Sequence, residues 1–271
     1  MSGTVFATFV VVFREALEVS LVLGIILTLL TRLNARRYYT HVFFSALAAL
    51  IFSFVVGTWL SSLAEASQEK AQALIEGSVS LIAAAVLTYM FFWMESQAKT
   101  IKSGIESRIE TALSIRDDLA IVSLAFFAVL REGAETVLFL KAVAIQSGES
   151  ASWLGGLSGC GLAVAIVCLI FVGGRQIPLR PLFRGTGFLI VLMAAGLLAY
   201  GIHELEEAKA IPAIIYPLYN INGILNDKEG IGVFLKALFG YNGNPSLTEF
   251  LAYWSYFGLV LAAAFRRSRP V

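Results

Sequence analysis

The sequence predicts an all-α membrane protein with seven transmembrane helices: two inverted three-helix repeats plus a seventh helix, N-terminus outside and C-terminus inside. Three observations carry that prediction. The first is composition. Of 271 residues, 58% are apolar and 14% charged, with a mean hydropathy of +0.79. Soluble domains are about 45–50% apolar and about 25% charged. A soluble domain of this size lacks the interior to hide so many apolar side chains, so its solvent is a bilayer. That composition excludes a nucleic-acid binder, a disordered chain and an ordinary cytosolic enzyme, and the net charge of +1, from 20 basic and 19 acidic residues, implies no partner. The second observation is a series of apolar runs of membrane-crossing length. The third is a charged motif that occurs twice.

A bilayer core takes about 20 apolar residues per helix. Seven runs meet that length, at 5–30, 41–61, 74–94, 119–145, 153–173, 185–202 and 249–265. The first is too long for a secretory signal. It has no basic segment before it and contains Arg14, Glu15 and Glu18, so it is expected to remain in the mature protein. The fifth holds Cys160 and Cys168. Eight residues apart on a helix, they are separated by about 12 Å, too far for a disulfide. The same run has Gly155 and Gly159, a GxxxG spacing that suits close helix packing or self-association.

The connection 203–248 is the long one. Pro212, Pro217 and Pro245 and an Asn/Gly-rich stretch interrupt it. Its apolar segment 231–240 is too short to span and is expected to pack on the outer surface or dip in as a re-entrant element. Ser246 and Glu249 have capping-box spacing and should start the last helix.

Charge in the linkers sets the orientation. Arg32, Arg36, Arg37, Lys99, Lys102, Arg108, Arg116, Arg175, Arg180, Arg184, Arg266, Arg267 and Arg269 fall on one side. The other side has Lys70, Lys209, Lys228 and Lys236, and is rich in acids: Glu65, Glu69, Glu149, Glu204, Glu206, Glu207, Asp227, Glu229 and Glu249. Thirteen against four places the basic side in the cytoplasm.

Arg14-Glu15-Ala16-Leu17-Glu18 in the first run is echoed by Arg131-Glu132-Gly133-Ala134-Glu135 in the fourth. Each motif opens a block of three runs, 5–94 and 119–202. Three is odd, so the blocks have opposite orientations, the inverted-repeat arrangement of secondary transporters. The whole chain reads as a single permease-type domain of repeat one, repeat two, outer connection 203–248 and last helix 249–265.

In each motif the carboxylates are three apart and share a helix face, and the arginine is four before the second glutamate. An intramembrane charge costs about 2.5–3.5 kcal/mol, so six facing lipid would cost roughly 15–20 kcal/mol. They must face one another, a polar cavity or an ion. Four carboxylates and two guanidiniums leave the site at −2 when all ionise. Oxygen donors without thiolate or central histidine suit a hard cation. The plainer reading is a buried ion pair locking two helices. Two copies at equivalent repeat positions argue against it.

These motifs resemble the paired R-E-G-x-E motifs of the oxidase-dependent iron permease family, the iron/lead transporters. Ala16 departs from the family glycine. Glu76-Gly77, Phe91-Phe92-Trp93-Met94, His203-Glu204 and Phe239-Gly240-Tyr241 also resemble the family. The resemblance implies a permease of the cell (inner) membrane for Fe³⁺, supplied by an extracytoplasmic iron oxidase or iron-binding protein. Iron is then the transported substrate, and no cofactor is implied. It implies Glu15, Glu18, Glu132 and Glu135 as ligands, Arg14 and Arg131 as the residues that orient them, and Glu76, His203 and Glu204 as an outer recruitment or relay set. The bland reading of Glu76, Glu206 and Glu207 is a solvated interfacial face. Lys141 reads as snorkelling outward and His41 as interfacial.

Three rival readings remain at the level of sequence. One is a divalent cation (lead or Fe²⁺) on the same scaffold. Another is a membrane di-iron carboxylate oxidase, disfavoured because such bundles use Glu-x-x-His pairs and neither histidine is central. The last is a structural scaffold, made costly by the central charges.

Overall fold

The computed structural model describes residues 3–65, 69–97, 107, 109, 118–148, 150–171, 179–227 and 229–268. Lys99, Lys102, Arg108, Arg116, Glu149, Arg175, Lys228 and Arg269 lie outside these residues. Among the described residues the regular structure is helical, with no strand. The helices are α1 (Gly3–Arg32), α2 (Tyr39–Glu65), α3 (Glu69–Gln97), α4 (Asp118–Ser147), α5 (Trp153–Phe171), α6 (Leu179–Glu207), α7 (Gly230–Phe239) and α8 (Leu247–Ser268). A single 3₁₀ turn, Arg36–Tyr38, precedes α2.

Most long helices overrun the apolar runs that predict them, because helical backbone bonding continues past the apolar stretch into polar residues. Five are long and apolar enough to cross a membrane by length and composition: Arg36–Trp59, Ala71–Trp93, Trp153–Phe171, Gly185–Glu207 and Leu247–Arg266. α1 and α4 are longer still, at 30 residues each. Their compositions differ through the repeated charged motif. Large apolar side chains such as Phe43, Phe54, Trp59, Tyr89 and Leu157 stand on the outer surface of the bundle. In water that would be costly, and in lipid it is not. The chain is a multi-pass membrane protein.

Helix ends are closed by local chemistry. Asn34, at φ 53°, ends α1 with Ala35 N–H donating to Leu30 O at 2.8 Å. Lys209, at φ 59°, ends α6 with Ala210 N–H donating to Leu205 O at 2.9 Å. Both are left-handed caps that satisfy final carbonyls. The capping box is present at α8: Glu249 N–H donates to Ser246 Oγ at 3.1 Å, and Ser246 N–H to Glu249 Oε1 at 3.0 Å.

The helix pairing has a simple logic. α1 packs along α5, α2 along α4, α3 along α6, and α1 meets α4. Exchanging α1, α2, α3 with α4, α5, α6 leaves that set of pairs unchanged. Small residues make the two equivalent grooves. On α5, Gly155, Gly159, Ala163 and Val167 are buried. A Cβ on Gly155 would lie 2.3 Å from Val5 O, and one on Gly159 would lie 2.7 Å from Phe9 O. On α2, Ala46, Ala49 and Ser53 are buried, and a Cβ on Gly133 of α4 would lie 2.4 Å from Ser53 Oγ. Ala16, the departure from glycine, packs beside Phe13, Leu17 and Ala163. The GxxxG face of α5 is therefore occupied by α1 of the same chain, which leaves close packing, not self-association, as its use. Gly156 and Gly161 face open space. Gly159→Ile should lower the detergent melting temperature sharply, because a backbone carbonyl cannot step aside, while Gly161→Ile should leave it near the parent value. Thermal melts of the two variants check this.

α7 enters the bundle. Ala237 and Leu238 join one core cluster with Ala7 and Val11 of α1, Phe139, Ala142 and Val143 of α4, and Met193, Ala194 and Leu197 of α6. A Cβ on Gly3 would meet Phe234 Cα at 2.2 Å, and one on Gly240 (φ 65°) would meet Gly196 Cα at 2.0 Å. Glycine at Gly240 thus serves both the left-handed cap and the contact. The start of α1 and the ends of α4 and α6 therefore share one end of the bundle. A second cluster, of Ile26, Leu30, Tyr38, Val42, Ile121 and Ala125 among others, closes the opposite end.

Candidate metal-transport site

α1 and α4 meet where their charged motifs lie. The two motifs fold alike. Arg14 donates from Nη1 to Glu15 Oε1 at 2.5 Å, and its Nη2 lies 3.2 Å from Glu18 Oε1. Arg131 donates from Nη2 to Glu132 Oε1 at 2.5 Å, and its Nε lies 3.3 Å from Glu135 Oε1. Each guanidinium thus bridges two carboxylates of its own helix, the one next along and the one a turn on. A planar fork with several donors suits that task better than an ammonium.

Across the helix boundary, Glu15, Glu132 and Glu135 bring carboxylate oxygens within 4.8 Å of one another. Glu15 and Glu132 are buried, at 1% and 4% exposure. Glu15 Oε2, Glu132 Oε2 and Glu135 Oε2 have no hydrogen-bond partner. Buried carboxylate oxygens without partners are costly, and two negative charges about 4 Å apart repel by about 4 kcal/mol at an effective dielectric near 20. A cation between them removes both costs. The donor set is hard oxygen throughout, which suits a hard cation. Glu18, expected as a fourth ligand, stands outside this group and faces Arg14 instead.

The outer set is divided by the structure. Glu76 lies two turns inside α3, which begins at Glu69. It accepts from Gln72 Nε2 at 2.8 Å and from Tyr200 O–H at 3.2 Å. Tyr200 is also a partner of Glu204. Here α3 and α6 cross through Gly77 and Gly201, where a Cβ on either would lie 3.1 or 3.0 Å from the other's carbonyl oxygen. His203 joins a different group. Its Nδ1 lies 3.1 Å from Glu249 Oε1, whose other oxygen accepts from Asn242 Nδ2 at 2.8 Å. His203, Glu206 and Glu249 bring possible ligand atoms within 4.8 Å. Sequence reading missed Tyr200 and the second use of Glu249, because both depend on which helices touch. It also missed a role for Trp93, whose ring lies under the Arg131 guanidinium at 4.1 Å.

No solved structure matches the chain. Relatives do. Ferrous iron permease EfeU of Yersinia pestis is 30% identical over 253 residues, covering 93% of this chain and 90% of the relative. Ferrous iron permease EfeU of Escherichia coli O6:H1 is also 30% identical over 253 residues, covering 93% and 92%. The model of the iron permease FTR1 family matches residues 5–266. Matched from the first turn of α1 to the last turns of α8, with both charged motifs inside the match, the chain belongs to the iron permease FTR1 family.

Proposed function

We propose that this permease carries iron inward across the cell (inner) membrane through the site between α1 and α4. The observation that supports this most directly is the convergence of Glu15, Glu132 and Glu135, with unpartnered buried oxygens from two helices. Glu18 completes the ligand set when Arg14 releases it, and Arg14 and Arg131 orient the carboxylates. Glu76, His203 and Glu204 act as an outer recruitment or relay set. Fe³⁺, delivered by an extracytoplasmic oxidase or iron-binding protein, suits an all-carboxylate donor set. Fe²⁺ is the second reading, supported by the ferrous name of the EfeU relatives.

The same proposal includes seven spans, in two inverted repeats, with α8 outside the repeats and the N-terminus outside. It is supported by the exchange-invariant helix pairs and by the lengths of α1 and α4, whose charges are shielded by each other. Cysteine-accessibility labelling should place residues 32–37, 99–116 and 175–184 inside, and residues 65–70 and 203–230 outside. Both termini on one side would overturn it. Proteoliposome uptake of labelled Fe³⁺ and Fe²⁺, with and without an oxidase, tests the function. Uptake of Fe³⁺ alone supports the first reading, uptake of Fe²⁺ alone the second, and uptake of neither overturns both.

A further inference from the structure

The two motifs match in their internal distances but not in their surroundings. The Arg14 side chain is 2% exposed, and that of Arg131 is 40% exposed. Burial along α1 changes at the same level. Ten of the fifteen residues from Gly3 to Leu17 are buried, and none of the eight from Glu18 to Ile25 is. Eight residues make more than two turns, so every face of the helix is sampled in that stretch. On the Gly3 side, α7 fills the wedge between α1 and α4, with Ala237 and Leu238 packed against Ala7, Val11, Phe139 and Val143. α7 belongs to neither repeat; towards the opposite end, Val22, Leu23 and Leu27 of α1 and Leu124 of α4 pack on the second cluster. The guanidinium of Arg131 lies over the ring of Trp93 of α3, at 4.1 Å.

We propose that Trp93 is a positioning residue and lid for the central site: its ring holds Arg131, the more exposed of the two arginines, against Glu132 and Glu135, and its withdrawal frees that side for iron release. This rests on the transport reading above, and in the proposed orientation Arg131 lies on the cytoplasmic side of its glutamates. The chemistry favours such a device. A cation on an aromatic face is held by a modest attraction that needs no hydrogen bond. That is enough to bias the guanidinium towards the two carboxylates and little enough to be broken in each cycle. The arrangement also gives α3 a direct hold on α4. A shift of α3 moves the ring, the ring releases the guanidinium, and the carboxylates lose the donor that fixes their direction.

The test needs a readout independent of iron. Phenylglyoxal modifies accessible guanidiniums, and mass spectrometry of the purified protein assigns each adduct. Arg131 should react faster in Trp93→Leu, which fills the space without a π face, by on the order of tenfold. Trp93→Phe should return the rate towards the parent's. Arg14 should stay unreactive in all three, which also reports that the bundle remains folded. In proteoliposomes, Trp93→Leu should raise the half-saturating iron concentration, and Trp93→Phe should largely restore it. An unchanged Arg131 rate in Trp93→Leu overturns the proposal, as does Arg14 reacting as fast as Arg131 in the parent. If the parent takes up no iron, the transport reading fails while the labelling still decides the lid. If uptake stands and the labelling does not change, the lid alone is lost.

Discussion

Glu15→Gln and Glu132→Gln should each abolish iron uptake while the protein still inserts and folds. Glutamine keeps the carboxylate's shape and removes the anionic oxygen. Both glutamates bring a buried oxygen to the α1–α4 boundary with no hydrogen-bond partner. Loss of a partner that merely orients a metal ligand costs about 10–100-fold in affinity, so loss of an anionic ligand costs at least that. Stability should move the other way or not at all. Three carboxylates whose oxygens lie within 4.8 Å repel when iron is absent, and removing one charge relieves that repulsion. The measurement is initial uptake rate beside detergent melting temperature. Near-normal uptake by either variant would reduce these residues to members of structural ion pairs.

The second large effect separates the two arginines. Arg14→Met should unfold the protein or lower its melting temperature severely, while Arg131→Met should lower uptake with a smaller loss of stability. Arg14 is 2% exposed and bridges Glu15 and Glu18. Removing one partner of a buried ion pair leaves the other charges uncompensated, at about 3–5 kcal/mol. Arg131 is 40% exposed, so its carboxylates can be reached by solvent when it is lost. The lysine variants refine this. Lysine keeps the charge but has no planar fork, so it cannot hold two carboxylates in fixed directions. Arg131→Lys should therefore lose uptake well before stability, and Arg14→Lys should lose both together. Equal fractional losses in uptake and melting temperature for both arginines would assign them to the fold alone.

Some of this site was legible in the chain. Charges in apolar runs have few tolerable surroundings, so Arg14, Glu15, Glu18, Arg131, Glu132 and Glu135 mark a buried polar centre in the sequence itself. Spacing of three and four along a helix placed each arginine over its own glutamates, and the structure has those pairs. The capping box at Ser246 and Glu249 was equally local, since both partners lie within one turn. The segment 231–240 was legible as too short to span, and it forms the ten-residue α7.

Other features had no local signal. Glu249 could be read as a cap, but its contact with His203 crosses 46 residues of chain. Glu76 could be read as an interfacial acid, but its bond to Tyr200 crosses 124. Gly155 and Gly159 announced a close helix approach without saying to which helix. The answer, α1, came from the packing of the whole bundle.

Periodicity, charge cost and cap chemistry are properties of one helix at a time, and they sufficed to name the elements and the charged centre. Two decisions needed the folded chain. One was that Glu15, Glu132 and Glu135 converge while Glu18 faces Arg14. The other was that α7 packs into one end of the bundle and that the Trp93 ring lies over Arg131. Both depend on distances between helices far apart in sequence. Those distances follow from how small residues, aromatic rings and backbone carbonyls fill shared space, and packing of that kind is fixed by all the neighbours at once.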